Sequence, residues 1–426
     1  MIHEFNRVEK VNGELNLPGD KSISHRAVMF SAMASGVSEI TNLSDGDDVN
    51  SSMKCFEAMG TEIERVGRSV RVKGKGFNNF SKPKFELDAG NSGTTARLLS
   101  GFLAAQNFES TMIGDESLSK RPMGRVIQPL KLMGARLEAN INETLPIKIF
   151  PVDALIPIDF QLPVASAQVK SAVLIAALHS DKVSSVTDKF TTRDHTERML
   201  NLKTVTNGNM KTIYSSRENY PQANTYFVPS DISTAAFFIV LTLLLKSSEL
   251  RLNNIGLNPT RIGVLKILKE MGGNIILDNE RENNYEPIGD IIVRSSKLKN
   301  ILIPEDIIPN VIDEIPILSI AGLLAEGQFK VNHAKELRKK ESDRINSLCQ
   351  NYRILGLNVE EYDDGFSVTG EIKNNAPIFE SFNDHRIAMA FSILSMLLED
   401  GGKIDKFECV SISNPNFVTQ LKQIVS

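Results

Sequence analysis

Charged and hydroxyl side chains gather where this chain runs into apolar helices. In LPGDKSISHRAVMF, Asp20, Lys21, Ser22, Ser24, His25 and Arg26 stand just before an apolar run. A helix start carries unpaired N–H groups and a positive dipole end, so cations and hydroxyls there have the chemistry of anion binding. Asp20 or Ser22 also has the type of a helix cap, but a cap has no use for both Lys21 and Arg26. Asn91-Ser92-Gly93-Thr94-Thr95 reads as a small-residue loop whose amides can approach a phosphate, or as an ordinary turn. Ser119 to Arg125 concentrates Lys120, Arg121 and Arg125 beside Pro122, either as a ligand loop or as an exposed charged turn. Ser166, Ala167, Gln168 and Lys170 supply hydroxyl and amide groups suited to a polyol or carboxylate. Arg193, Asp194 and His195 follow. The acid–base candidates come later: Asp313 and Glu314, the run Lys339 to Arg344, and Asp384-His385-Arg386. Capping and solvated charged faces also explain these groups, and spacing alone ranks none of them as catalytic.

The elements that position these residues repeat. Polar stretches enter apolar helices six times, near Leu17, Leu87, Leu162, Val228, Asp313 and Phe382. The period of roughly 70 residues is longer than that of common solenoid repeats. A second marker shares the spacing: Met59-Gly60, Met133-Gly134, Met271-Gly272 and Leu355-Gly356 each read as a helix stop, with Asn207-Gly208 as a degenerate copy. Each unit is expected to run polar loop, buried helix, strand, second helix, Gly stop, strand. Ile2 to Leu17 reads as a strand pair turning at Asn12-Gly13. Tyr214 to Asn224 and Asp278 to Gly289 read as loops.

At 426 residues the chain exceeds one usual core, so two domains are expected. A net charge of −4 argues against a nucleic-acid coat protein. Cys55, Cys349 and Cys409 show no metal-ligand spacing and read as reduced thiols of a cytoplasmic protein. The start MIHEFNRVEK lacks a signal-peptide core. The apolar run Ala235 to Leu245 is too short to span a bilayer and reads as a helix buried on all sides. The six His form no paired-ligand pattern, so no metal is expected.

PGDKSISHRA, GNSGTTAR, KRPMGR, SAQVKSA, RDHTE, LRKKESDRI and NDHRIAMAF together resemble the signature blocks of the 5-enolpyruvylshikimate-3-phosphate synthases, in family order over essentially the whole chain. The resemblance implies an α/β fold of two domains, each of three βαβαββ-type units, the inside-out α/β barrel of the enolpyruvyl transferases. The domains would be 18–229 and, discontinuously, 1–17 plus 230–426, with the site in the interdomain cleft and domain closure expelling water. It implies transfer of the enolpyruvyl group of phosphoenolpyruvate to the 5-hydroxyl of shikimate-3-phosphate, with no cofactor. Carried over by motif, Lys21, Ser22, Arg26, Ser166, Ala167, Gln168, Arg193, Asp313 and Lys340 would bind shikimate-3-phosphate. Lys21, Gly93, Arg121, Gln168, Arg344 and Arg386 would bind phosphoenolpyruvate. Asp313 matches the general base for the attacking hydroxyl. Glu341 or Lys21 would protonate the methylene carbon. A cytoplasmic monomer, with no nucleic-acid or membrane partner, is expected by the same analogy.

The chain departs from the family pattern in places. Many members carry a Lys near the C-terminus, before a Pro-aromatic stretch; Val410 to Phe417 has none. Ser230 stands where a hinge Gly is usual. Gly93 leaves space that implies sensitivity to the phosphonate glyphosate. The alternatives are a UDP-N-acetylglucosamine enolpyruvyl transferase, whose members commonly carry a Cys in the loop here spanning Ser117 to Arg125, and a non-catalytic anion-binding or RNA-end-processing relative. That loop has no Cys.

Overall fold

The computed structural model describes residues 1–425. The chain forms two compact units. The N-terminal unit comprises Pro18–Val228 and Glu282–Glu286; the C-terminal unit comprises Met1–Leu17, Pro229–Arg281 and the chain from Pro287 onward.

In the N-terminal unit the inner helices are Lys21–Met33, Gly93–Leu103 and Ala167–Ala177. Every residue of the first from Ile23 on is buried, as is every residue of the third from Val169 on. Helices buried all round have no solvent-facing stripe, so their few polar side chains, Arg26 and Lys170 among them, find partners inside the protein. Their packing also needs a missing side chain. A Cβ on Gly101 would lie 2.2 Å from the carbonyl oxygen of Ala172 on the next inner helix. Gly101→Ala would therefore push two backbones apart.

Each inner helix leads to a strand, a second helix and an antiparallel strand pair. The central strands are Ser35–Thr41, Ser110–Ile113 and Ser184–Asp188. Each sits in a four-stranded sheet with one parallel edge strand: Thr225–Phe227, Leu87–Asp88 and Asp159–Gln161 respectively. The last strand of the unit thus completes its first sheet.

The C-terminal unit repeats the scheme around Ile232–Leu244 and Ile315–Leu323; His385–Ser395 leads to a strand and the helix Phe417–Ile424, with no strand pair after it among the described residues. The helix expected at Ala235 to Leu245 is buried from Ile232 to Leu243. Two of its sheets borrow strands from the chain start. Asn12–Leu15 pairs in parallel with Glu249–Leu252, and His3–Phe5 pairs antiparallel with Gly402–Ile404. In the middle sheet, Phe329–Val331 and its two partners lack a parallel strand; an isolated bridge between Lys299 and Glu326 stands there instead. Among the described residues no helix is long and apolar enough to cross a membrane.

Gly60, Gly134, Gly272 and Gly356 each follow a helix with φ between 80° and 97°, the left-handed stop their sequence context predicts. Other local readings are corrected. Asn207-Gly208 is the turn of the hairpin Thr204–Asn207 and Met210–Ser215, because its short helix already ends at Met199. Asn12-Gly13 is not a turn but lies inside a strand, since both N-terminal strands find distant partners. The expected loop Asp278 to Gly289 is largely a hairpin of Asn274–Asn283 and Glu286–Arg294. Its turn runs through Asn284 and Tyr285, both at positive φ. Tyr214 and Ser215 belong to a strand, and the rest of that segment is a short 3-10 turn and coil.

Candidate active site

The helix starts do not present bare N–H groups. Asp20, Ser92, Ser166, Asp231 and Asp384 cap five of the inner helices through their own side chains. Capping is therefore right for Asp20, whereas Glu314 precedes its helix without a side-chain cap.

In the N-terminal unit, Lys21 opens the first inner helix and pairs with Asp48 at 2.8 Å. Ser22 lies in the same turn and is half-buried. Arg26, one turn on, is only 3% exposed. It donates to Thr196 Oγ1 at 2.7 Å, Ser171 Oγ at 2.7 Å and the Ser22 carbonyl at 2.8 Å. All three acceptors are neutral. Burial accordingly pushes the Arg26 pKa down to about 10; Glu197, Asp20 and Glu286 pull it up, and nearby Arg193 lowers it further. A buried cation with neutral acceptors is a place that gains from an incoming anion.

The second and third inner helices meet at Gln168. Its amide donates to Thr94 Oγ1 at 3.0 Å, and its carbonyl accepts from Arg97 at 2.8 Å. Arg97 also reaches the Pro122 carbonyl at 3.3 Å. Arg121 is buried and bonds Asn91 Oδ1 at 2.7 Å and Ser117 Oγ at 3.2 Å. Gly93 opens its helix beneath these groups; a Cβ there would lie 2.5 Å from Arg97 NH1 and 3.7 Å from Arg121 NH1. Ser166 and Ala167 stand half-buried at the start of the third helix. Lys170 is no ligand candidate, because it is buried between Asp188 at 2.9 Å and Glu197 at 2.7 Å. Burial depresses its pKa, but these carboxylates outweigh burial and hold it up. Lys120 is exposed and pairs with Glu116.

In the C-terminal unit, Arg344 is 1% exposed and surrounded by carboxylates. It contacts Asp384 at 2.8 Å, Glu341 at 2.6 Å and Asp313 at 3.3 Å. Burial alone would lower its pKa; the three carboxylates more than reverse that and raise it. Burial likewise pushes Asp384 up, and Arg344 overcomes it, leaving Asp384 below the usual carboxylate range. Lys340 reaches Asp313 Oδ1 at 3.1 Å, and Arg386 donates to the Asp313 carbonyl at 2.9 Å. Five residues named from sequence, Asp313, Lys340, Glu341, Arg344 and Arg386, thus converge on one cluster. This arrangement sets the Asp313 and Glu341 carboxyl groups among Lys340, Arg344 and Arg386, the equipment for moving a proton beside a multiply anionic substrate.

Residues 5–421 match the sequence model of the family described as EPSP synthase (3-phosphoshikimate 1-carboxyvinyltransferase). The chain belongs to that family. It is 43% identical over 429 residues to the 3-phosphoshikimate 1-carboxyvinyltransferase of Petrotoga mobilis, covering 99% of each chain. Identity to that of Ruthia magnifica is 46% over 420 residues, or 97% of this chain and 95% of the relative. The EPSP synthase structure from Acinetobacter baumannii superposes with a TM-score of 0.87 at 40% identity, over 100% of this chain and 98% of that one. The enolpyruvyl transferase NikO from Streptomyces tendae, at 14% identity and TM-score 0.75 over 100% of this chain and 97% of its own, shares the fold. The two-domain architecture of the enolpyruvyl transferases is therefore that of this chain. Its activity is transfer of the enolpyruvyl group of phosphoenolpyruvate to the 5-hydroxyl of shikimate-3-phosphate with release of phosphate, a step of the shikimate pathway toward chorismate and the aromatic amino acids. The UDP-amino-sugar and RNA-processing alternatives are not favoured.

Two residues of these clusters, Arg97 and Arg261, are not singled out by the sequence. Arg97 lay inside the quoted GNSGTTAR block, one helical turn after Gly93, and its spacing was the available signal. Glu314, an acid–base candidate with capping as its alternative, makes no side-chain cap and lies 3.7 Å from Arg386 NH1. Arg261, from Asn258-Pro259-Thr260-Arg261, carried no local signal; it is 2% exposed and donates to Ser233 Oγ at 2.7 Å.

Proposed function

We propose that the two residue sets act on the same pair of substrates. Lys21, Ser22, Arg26, Ser166, Ala167, Gln168 and Arg193 hold shikimate-3-phosphate, assisted by Asp313 and Lys340. Lys21, Gly93, Arg121, Gln168, Arg344 and Arg386 hold phosphoenolpyruvate. The guanidinium fork suits its phosphate and carboxylate. Glu341 gives a proton to the methylene carbon, and the 5-hydroxyl attacks the cationic carbon next to it. Asp313 takes the hydroxyl proton. The tetrahedral adduct then loses phosphate, with the carbon–oxygen bond electrons leaving on that group. Glu341 recovers the methyl proton, and the double bond re-forms. Lys21 neutralises charge on phosphoenolpyruvate. With no Lys in Val410 to Phe417, the remaining cations carry the phosphoenolpyruvate charge.

The observation that carries these roles is the shared guanidinium. Arg344 touches both Asp313 and Glu341, so the two proton carriers sit on one rigid cation. The test is phosphate release from the two substrates, with deuterium exchange into the methylene carbon as a second readout. Glu341→Gln is expected to abolish the exchange, whereas Lys21→Met is expected to raise KM and leave exchange measurable at saturation. Exchange that persists in Glu341→Gln would reject Glu341 as the carbon acid. We further infer a cytoplasmic monomer without a nucleic-acid partner; the net charge of −4 supports the last point. Light scattering on the purified chain tests the monomer.

A further inference from the structure

Glu314 follows the proposed base directly and is fully buried. One carboxylate oxygen, Oε1, accepts a short hydrogen bond from the Ser233 hydroxyl. The same oxygen lies 3.9 Å from Arg261 NH1 and 3.7 Å from Arg386 NH1. The other, Oε2, is buried and makes no hydrogen bond among the described residues. A buried carboxylate placed this way is costly unless cations compensate it. Neither Arg261 nor Glu314 belongs to the sets assigned above.

The arrangement links three inner-helix starts. Arg261 lies 3.5 Å from Asp231, the cap of the Ile232–Leu244 helix, and bonds Ser233 in its first turn. Glu314 is the residue before the Ile315–Leu323 helix. Arg386 lies in the first turn of His385–Ser395. Glu314 and the Asp313 carbonyl both address NH1 of Arg386. The rest of that guanidinium makes no hydrogen bond among the described residues. Its Nε–NH2 edge is therefore the one left to meet a carboxylate or phosphate.

We propose that Glu314, anchored by Ser233 and Arg261, is a positioning residue for Arg386. It holds the NH1 side of the guanidinium so that the opposite edge stays presented to an oxyanion of phosphoenolpyruvate. A long side chain held in one orientation before binding pays less ordering entropy when the ligand arrives. This inference rests on the proposed contact between Arg386 and phosphoenolpyruvate.

The experiment is steady-state kinetics on the full chain for Glu314→Gln, Ser233→Ala, Arg386→Met and the double variant Glu314→Gln/Arg386→Met. Calorimetric binding of shikimate-3-phosphate serves as the folding readout. Glu314→Gln is expected to raise KM for phosphoenolpyruvate about tenfold, to change kcat less than about threefold and to leave shikimate-3-phosphate binding within about twofold. Ser233→Ala should raise the same KM by about threefold and covers the case in which Glu314→Gln does not fold. In the double variant, KM should match that of Arg386→Met alone, since the two residues then act as one. An unchanged or lowered KM in Glu314→Gln, or additive effects in the double variant, would overturn the positioning role. An unchanged KM in Arg386→Met would overturn the underlying contact itself, and with it the role.

Discussion

Two buried arginines, one in each unit, are handled in opposite ways. Arg26 is bonded to two hydroxyls and a main-chain carbonyl, and its pKa falls to about 10. Arg344 is bonded to Asp384, Glu341 and Asp313, and its pKa rises. Burial acts in the same direction on both; only the partners differ. Arg26 keeps its charge largely unspent, which suits a group that waits for a substrate anion. Arg344 spends its charge inside the protein, and what it gains is order among carboxylates. The proposed roles divide accordingly: Arg26 meets a substrate anion with a charge that no carboxylate takes up at bonding distance, whereas Arg344, beside its proposed contact with phosphoenolpyruvate, orders the proposed proton carriers Asp313 and Glu341.

The largest effect that probes this contrast is on the proton carriers. Asp313→Ala is expected to lower kcat by about three to four powers of ten, the upper part of the range for general acid–base catalysis. Phosphate release with both substrates measures it, and release near the wild-type rate would reject Asp313 as the base. Next come the arginines themselves. Arg344→Met strands Asp384 in the core without its cation and should cost about 3–5 kcal/mol of stability, read by denaturant unfolding. Arg26→Met removes a charge that no carboxylate neutralises at bonding distance and should cost under about 1 kcal/mol. Its cost should appear in binding instead, as a rise of roughly a hundredfold in KM for shikimate-3-phosphate. If both variants lose similar stability, the contrast is wrong.

A smaller effect follows from Asp384, whose folded pKa lies below the ordinary carboxylate value because of Arg344. A depressed carboxylate contributes stability above its unfolded pKa and loses it as pH falls through the folded value. Melting temperature should therefore drop steeply below about pH 4. Asp384→Asn should be less stable at neutral pH and should flatten that drop. An equally steep acid transition in the variant would place the sensitivity elsewhere.

Much of the fold is legible because its signals are local. The six buried helices show as apolar runs, and four Gly stops show because left-handed backbone favours Gly. What failed was local evidence about distant pairing. Asn12-Gly13 has the composition of a turn, yet its strand pairs with residues from Glu249 on. The hairpin turn at Asn284 and Tyr285 has no Gly to announce it, and the charged residues around it suggested a loop. The candidate site divides the same way. Its motifs name Arg26 and Arg344, but not their partners. Ser171 and Thr196 lie 145 and 170 residues from Arg26, and Asp384 lies 40 from Arg344. Whether a buried cation meets a hydroxyl or a carboxylate is decided by topology.

The smallest expected effect concerns Gly93, whose proposed contact with phosphoenolpyruvate rests on an absent side chain. Gly93 is the first residue of its helix and has ordinary backbone angles, so Ala fits the backbone without strain. The new methyl would crowd Arg97 NH1, the tip of a flexible side chain. That tip holds the Gln168 carbonyl at 2.8 Å, so moving it releases a proposed substrate contact. Gly93→Ala should keep the wild-type melting temperature and raise KM for phosphoenolpyruvate by about tenfold, the scale of one lost hydrogen bond. Glyphosate is bulkier than phosphoenolpyruvate, so its inhibition constant should rise by a larger factor than that KM. Equal factors would mean that the methyl acts only through Arg97 and Gln168. A wild-type inhibition constant in the millimolar range would mean that Gly93 does not provide the space at all.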